Sequence, residues 1–253
     1  MPWKEPYWLK LRRRLQKPLN KIFHSKRYYV TRYRGADFLL APRGIGALET
    51  SAKIFEYPEL THLMARCRAL GVDTFIDVGA NIGIYSCILL RNGTVPQAIL
   101  FEPDRVNLVQ LRANLLINNV TPRTTIHEVA LGEQRARLRL VPNWSEDGYA
   151  LADGGFSRIV EQDAPPDRGY DVDVVRMDEW LALAGRALAI KIDVERYECQ
   201  VVRGMTGILR DNRCIVQVEV VETRDEVVRD MAAAGYGVAA DFFPNLFFER
   251  RGG

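Results

Sequence analysis

The twelve residues from Phe75 to Ser86, FIDVGANIGIYS, constrain the fold of this 253-residue chain more than any other stretch. An apolar run stops at a loop of small residues and a second helix-forming run begins, the pattern of a strand, a tight turn and a helix. Nineteen residues past Gly83 stands Glu102, closing another apolar run, AILFEP. Strand, glycine loop, helix, and a second strand tipped by a carboxylate describe a nucleotide-binding crevice, with the acid placed to hold a ribose. The spacing separates ligand classes. A diphosphate fingerprint sets its glycines as G-x-G-x-x-G so that the pyrophosphate rests on a helix N-terminus. Here the order is Gly79, Asn81, Gly83, with Asp77 just before. An acid at the loop mouth repels a diphosphate and suits a cationic ligand. On these residues alone, a ligand-free βα turn and a NAD or nucleotide-sugar site stay open.

Around this motif the chain reads as alternating strands and helices, the pattern of a doubly wound α/β domain. A hairpin is expected over 28–40 and a helix over 58–70 that stops at Gly71. Strands follow at 74–78, 98–102 and 124–130, with helices at 83–90 and from 104 to about 118. An extension at 138–141, a strand at 171–176 and a helix at 177–183 come next. Strands at 188–193 and 214–221 alternate with helices at 197–210 and 225–234, and two short strands, 238–242 and 246–249, close the chain. The 142–168 stretch, rich in Gly, Asp, Ser and Pro, is too long for a simple connection and reads as a functional lid or binding loop, or else as a disordered segment. Three regions result: a basic segment at 1–34, a hairpin and helix packing on the core at 35–70, and the main domain at 71–253.

Charge is uneven. Residues 1–34 hold eleven Lys or Arg against one acid, Glu5, a local +10 in a chain of net charge +3. Such a segment meets something anionic: a membrane surface, nucleic acid or an acidic glycan. Trp8, Leu9, Leu11, Leu15, Leu19, Ile22 and Phe23 lie among its cations at loosely helical spacing, interrupted by Pro18. This amphipathic segment either lies on a membrane surface, as a peripheral contact, or packs its apolar stripe on the body. No apolar run is long enough to span a bilayer and no apolar stretch follows the N-terminal charges as in a secretory signal, which predicts a cytoplasmic protein, with any membrane contact at the inner face. Cys67, Cys87, Cys199 and Cys214 form no C-x-x-C pair and read as reduced thiols.

A second concentrated signal is KIDVERYE, residues 191–198. Its strand ends in Asp193, Glu195 and Glu198, at the carboxyl edge where open α/β sheets bind ligands. Strand alternation puts Lys191 and Asp193 on one side.

FIDVGANIGIYS followed by Glu102 resembles motif I and the acidic motif of the class I S-adenosylmethionine-dependent methyltransferases, whose cofactor carries an amine, a sulfonium and a ribose but no phosphate. Over roughly residues 50–249 the chain resembles the FkbM family of methyltransferases. The matching pieces are FIDVGANIGIYS, FEPD (101–104), EVALG (128–132), GGFSRI (154–159), VVRMDEW (174–180), IKIDVERYE (190–198), VVRGM (201–205) and QVEV (217–220). The resemblance implies a mostly parallel, seven-stranded Rossmann-like methyltransferase sheet with a C-terminal antiparallel hairpin. It further implies an S-adenosylmethionine-dependent O-methyltransferase acting on a hydroxyl of a sugar, glycan or glycosylated small molecule. It places Asp77, Gly79, Asn81 and Gly83 around the methionine part of the cofactor, Glu102 on the ribose hydroxyls and the Glu128-Val129 edge near adenine. Tyr85 reads either as a further contact at the methionine end or as a core or helix-surface tyrosine. One departure stands out: the family usually has Gly after this Val-Glu, and here it is Arg196.

Methyl transfer is an in-line displacement that depends on alignment, and a sugar hydroxyl needs a base within hydrogen-bond reach. Asp193 is the first candidate base, Glu195 the second and Glu219 the third. Each has a structural alternative: Asp193 as the cap of the next helix, Glu195 as a surface partner of Arg196 or Arg203, Glu219 as a strand-end acid. Lys191 reads as a partner for one of these acids. The three carboxylates also suit a divalent cation, which takes oxygen ligands, although a metal is not part of the leading reading. Ser157, with Trp144 and Tyr149, are candidate acceptor contacts. His24, His62 and His127 show no ligand spacing. Two rival readings remain, a cofactor-binding protein without catalysis and a nucleic-acid methyltransferase that grips phosphates through its basic segment. The absence of an N-P-P-Y-like motif or an RNA-binding module counts against nucleic acid.

Overall fold

The computed structural model describes residues 28–40, 53, 55–141, 158–160 and 169–251. A hairpin of β1 (Tyr29–Tyr33) and β2 (Ala36–Leu40) turns at Arg34-Gly35, so it spans both sides of residue 34. Helix α1 (Tyr57–Leu70) follows and stops at Gly71. The main sheet then starts with β3 (Thr74–Val78), α2 (Ile84–Arg91), β4 (Ala98–Phe101), α3 (Arg105–Ile117) and β5 (Thr124–His127). After an excursion through β6 (Ala130–Leu131), β7 (Ala136–Val141), β8 (Arg158–Val160), β9 (Tyr170–Val175) and the single turn α4 (Met177–Trp180), it resumes with β10 (Ala187–Ile192). Helices α5 (Glu198–Arg203) and α6 (Thr206–Asp211) lead to β11 (Arg213–Glu219). Helix α7 (Arg224–Ala233) leads to β12 (Tyr236–Phe242) and β13 (Asn245–Arg250).

The seven-stranded sheet has the order β12-β13-β11-β10-β3-β4-β5. All neighbours are parallel except β13, which runs antiparallel to both β11 and β12. This is the sheet, with its closing hairpin, that the resemblance implies. Its middle strands are apolar because both faces are covered: β3 and β10 are buried along their whole lengths. Phe75 faces the core built with α1, α2 and α3, whereas Ile76 and Val78 face the core built with α5, α6 and α7. The chain leaves β3 outward through β4 and β5, then returns to pair β10 on the other side of β3. The order therefore reverses between β3 and β10, and ligand crevices form at such switch points.

Three elements differ from the sequence reading. The strand expected over 124–130 is cut at Glu128-Val129, and β6 pairs instead with β9 in a separate four-stranded sheet, β6-β9-β7-β8, with its own small core of Ala130, Leu140, Val172 and Val174. Strand alternation looks the same whichever sheet a strand joins, so the sequence does not mark the switch. The helix expected over 197–210 is broken at Gly204-Met205. A Cβ on Gly204 would lie 2.0 Å from the Gly132 carbonyl oxygen, so the helix touches the β6 end backbone to backbone there. The 177–183 helix is one turn, Met177–Trp180.

The hairpin is fastened to α3 by side chains that stand in for a neighbouring strand. Asn114 accepts from the Leu39 amide at 2.7 Å, and Asn118 accepts from the Asp37 amide at 2.9 Å while donating to its carbonyl at 2.6 Å. All four cysteines are buried and free. His62 packs against Phe242 and Phe247, and His127 stacks on Phe101. No helix among the described residues is long and apolar enough to cross a membrane. Most of the basic segment, residues 1–27, lies outside the described residues, as do His24, Trp144, Tyr149 and Ser157.

Candidate active site

At the switch point the loop after β3 is fixed from three directions. The Gly79 and Ala80 amides both donate to the Phe101 carbonyl at 3.0 Å, and the Asn81 amide donates to the Glu102 carboxylate at 2.7 Å. A Cβ on Gly79, whose φ is 75°, would lie 2.0 Å from the Asp193 carbonyl oxygen. Only glycine permits both that backbone angle and that approach. Gly83 and Asn81 are likewise left-handed, and Gly83 leads directly into α2.

Below the loop, Asp77 is 2% exposed and accepts from the Ser86 hydroxyl on α2 at 2.6 Å. Burial pushes its pKa up, against the pull of Lys191 and Ser86. Glu102 is equally inside: its carboxylate accepts from the Asn81 amide and, at 2.8 Å, from the Asp104 amide. Burial raises its pKa to about 7 despite these bonds. Glu128, in the cut between β5 and β6, is exposed and pairs with Arg112, beside half-buried Val129. Next to them Trp180 donates to His127 Nδ1 at 3.1 Å.

Across the switch point, Lys191 is 3% exposed and its ammonium lies 2.5 Å from Asp193 Oδ2. Desolvation works against the charge, but Asp193, Glu56, Glu219 and Asp77 outweigh it and hold the lysine pKa above its ordinary value. Asp193 does not cap α5, whose N-cap, Tyr197, makes no side-chain cap bond; its carboxylate goes to Lys191. Glu219, at the end of β11, has its pKa raised by burial and by Asp193. Glu195 is half-buried, and desolvation with the Asp193 and Glu198 charges raises it to about 7. The partners considered for it are engaged elsewhere: Arg196 with Glu222 at 2.6 Å, Arg203 with Glu226 at 2.5 Å and Asp230 at 2.8 Å.

The structure adds a residue that the sequence reading lacked. Glu56, just before α1, brings a carboxylate oxygen within 4.8 Å of those of Asp193 and Glu219. Glu56, rather than Glu195, completes that triad. It accepts from the Tyr85 hydroxyl, which in turn accepts from Gln217 Nε2 at 2.8 Å. Gln217 Nε2 also donates to Asn245 at 2.8 Å, and the Lys191 ammonium sits 4.8 Å over the Tyr85 ring. Tyr85 is thus a buried link between the helix after the donor loop, the acidic group and the last strand. Glu56 lies far from every motif in the sequence, and no local signal marks it.

The FkbM methyltransferase domain matches residues 77–242 of the chain. The chain belongs to the FkbM methyltransferase family. It is 25% identical over 186 residues to Methyltransferase 1 of Beauveria bassiana, covering 67% of this chain and 74% of that protein. Its fold is similar to the crystal structure of Methyltransferase FkbM from Methylobacillus flagellatus KT, with a TM-score of 0.51 at 20% identity. That match covers 70% of this chain and 43% of the other, so the chain spans less than half the length of that protein.

The family's chemistry implies S-adenosylmethionine as methyl donor, and this site suits it. Asp77 and Glu102 under the loop offer negative potential to a sulfonium and an ammonium. The Glu102 carboxylate, with about four acceptor positions, holds two backbone amides and, at 3.4 Å, the Asn107 side-chain amide, which leaves a position on Oε2 for a ribose hydroxyl. Asp77, Gly79, Asn81 and Gly83 would hold the methionine part of the cofactor and Glu102 its ribose, and the bound group would supply the electrophilic methyl.

Arg196, the departure noted against the resemblance, has a φ of 63°. A left-handed non-Gly residue costs about 1–2 kcal/mol. Its guanidinium reaches Glu222 with the two side chains 62% and 59% exposed, and exposed pairs contribute about 0.2–1 kcal/mol. The ion pair does not offset the backbone cost.

Proposed function

We propose that this FkbM methyltransferase transfers a methyl group to a hydroxyl of a sugar, glycan or glycosylated small molecule, with Asp193 as the base. The observation that carries the reading is the placement of Asp193. Its backbone packs on Gly79 of the donor loop, its amide donates to the Val78 carbonyl at 3.0 Å, and its carboxylate is held by a buried ammonium at the carboxyl edge of β10. The base is therefore built into the wall of the donor crevice, within reach of a hydroxyl aligned there. As the acceptor oxygen bonds to the methyl carbon and the carbon–sulfur bond breaks, Asp193 takes the hydroxyl proton. Lys191 holds the carboxylate in place and balances its charge, and Glu219 and Glu56 line the same side. Proton removal by a positioned carboxylate contributes about 10²–10⁴-fold.

Methyl incorporation from labelled S-adenosylmethionine across a panel of neutral and acidic saccharides tests the reading. Asp193→Asn is expected to lose about 10²–10⁴-fold in kcat with donor affinity, measured by calorimetry, kept. Undiminished turnover by the variant removes Asp193 as base, and absence of donor binding removes the reading as a whole.

The +10 charge of residues 1–34 favours a cytoplasmic enzyme held at an anionic membrane surface, where each basic residue contributes about 1 kcal/mol. Because β1 begins at Tyr29, the deletion that tests this spans residues 1–27. Flotation with phosphatidylserine vesicles is expected for the full chain and not for the deletion; a full chain that never floats ends the idea.

A further inference from the structure

The Gly79 loop and Glu102 lie on the β3 and β4 side of the switch point, which leaves the loops after β10 and β11, at the same carboxyl edge of the sheet, to the acceptor of the proposed reaction. Two contacts tie those loops together: the Arg196 guanidinium to Glu222 at 2.6 Å, and the Thr223 hydroxyl to Glu198 at 3.2 Å. Glu198 also accepts from the Arg196 amide at 3.0 Å. The Thr223–Glu198 contact joins the two segments whatever side chain stands at 196, and the amide bond fixes the turn at 196 itself. The guanidinium itself ends on an exposed carboxylate, and that pair does not repay the left-handed backbone.

Another left-handed arginine shows the contrast. Arg34, in the hairpin turn, is fastened to the Tyr57 carbonyl at 2.9 Å and Thr61 at 2.8 Å, and lies over the Tyr57 ring. Its position has a structural reason. Arg196 has a bulky, exposed cation where glycine would be relaxed, three residues past the candidate base on the segment that leaves the carboxyl edge of β10.

We propose that Arg196 is a specificity-determining residue that takes an anionic group of the acceptor, a carboxylate or a phosphate, with Glu222 occupying the guanidinium when no acceptor is bound. The inference rests on the acceptor lying beside Asp193. Guanidinium presents forked donors that match either oxyanion, and an exposed pair such as Arg196–Glu222 is a weak competitor. The field supplies orientation. Asp193, Glu219 and Glu56 bring carboxylate oxygens within 4.8 Å of one another on the inner wall, and the Lys191 ammonium is buried and engaged with Asp193. An acidic acceptor is repelled by that wall and drawn to Arg196, which turns its uncharged end, with the hydroxyl, toward the base.

The test uses the full chain with S-adenosylhomocysteine and three probes: p-nitrophenyl β-glucuronide, glucose 6-phosphate and neutral p-nitrophenyl β-glucoside. Binding is read by calorimetry and by the arginine Nε–H resonance of Arg196, assigned from its loss in Arg196→Gly. At least one acidic probe is expected to shift that resonance and to bind at least tenfold tighter than the glucoside; the glucuronide and phosphate arms separate the two oxyanions. Arg196→Gly is expected to abolish the preference with donor affinity and Tm not lowered, and Glu222→Gln to strengthen it by a few-fold. Equal binding of acidic and neutral probes by wild type, or an unchanged preference in Arg196→Gly, overturns the proposal. Turnover of Asp193→Asn reports on the base separately and does not enter these titrations.

Discussion

The carbonyl oxygen of Asp193 lies 2.0 Å from where a Cβ on residue 79 would sit, so the donor loop and the candidate base meet backbone to backbone through Gly79. The loop and the Asp193 main chain are thereby referred to one contact, and the bond to Lys191 at 2.5 Å fixes where the carboxylate points. Precision of this kind is what an in-line displacement needs.

Gly79→Ala is expected to break that contact. The added methyl collides with the main chain of β10 and the residue must hold a φ of 75°, costs that together reach about 2–5 kcal/mol. Urea denaturation should show the loss, and calorimetry of whatever folds should show S-adenosylmethionine binding weakened at least tenfold.

Lys191→Met should destabilise the protein more than its size suggests. The ammonium is buried and its removal leaves Asp193, Glu219, Glu56 and Asp77 without the cation that offsets them, and breaking a buried pair costs about 3–5 kcal/mol. Adding Asp193→Asn should recover part of the loss, because the two residues share one interaction at 2.5 Å. Strictly additive denaturation free energies would show that the pair is not coupled.

How much of this was legible in the sequence depends on the range of the interaction. FIDVGANIGIYS and KIDVERYE carry their own periodicity, turns and terminal acids, so β3, the donor loop and β10 were readable, as was the placement of Lys191 and Asp193 on one side. What failed was long-range. Gly204 breaks a helix because Gly132 lies against it, and neither residue announces the other. Ala130 and Leu131 join the smaller sheet because Val174 and Val175 are available to pair. Glu56 reaches the site only because α1 packs beside β10 and β11.

Glu102 gives the cofactor-free protein a pH dependence. Its folded pKa is raised from 4.5 to about 7 by burial, so the folded state binds the proton more tightly than the unfolded chain. The stabilisation is fully present below pH 4.5, declines as pH rises, and is gone above about 7, a change on the order of 3 kcal/mol. Glu102→Gln should flatten this part of the Tm-against-pH curve, since an amide does not titrate, and, on the proposal that Glu102 holds the ribose, should weaken donor binding. A slope between pH 5 and 7 identical to wild type would assign the dependence to other groups.

Tyr85→Phe separates the hydrogen-bond chain from packing. The ring and its burial are kept, but the hydroxyl that donates to Glu56 and accepts from Gln217 is gone. Gln217 has no exposed surface and retains only its bond to Asn245, while Glu56 loses a bond that anchors it beside Asp193 and Glu219. Leaving buried polar groups short of a partner costs about 1–3 kcal/mol, so thermal denaturation should report a loss in that range. Donor affinity should change little, because the main-chain bonds of the Gly79 loop and the Glu102 carboxylate do not involve the hydroxyl. Turnover should fall more than affinity, as Glu56 is released toward the carboxylates around Lys191. A variant with wild-type stability would mean that the Glu56–Tyr85–Gln217 chain contributes nothing net to the fold.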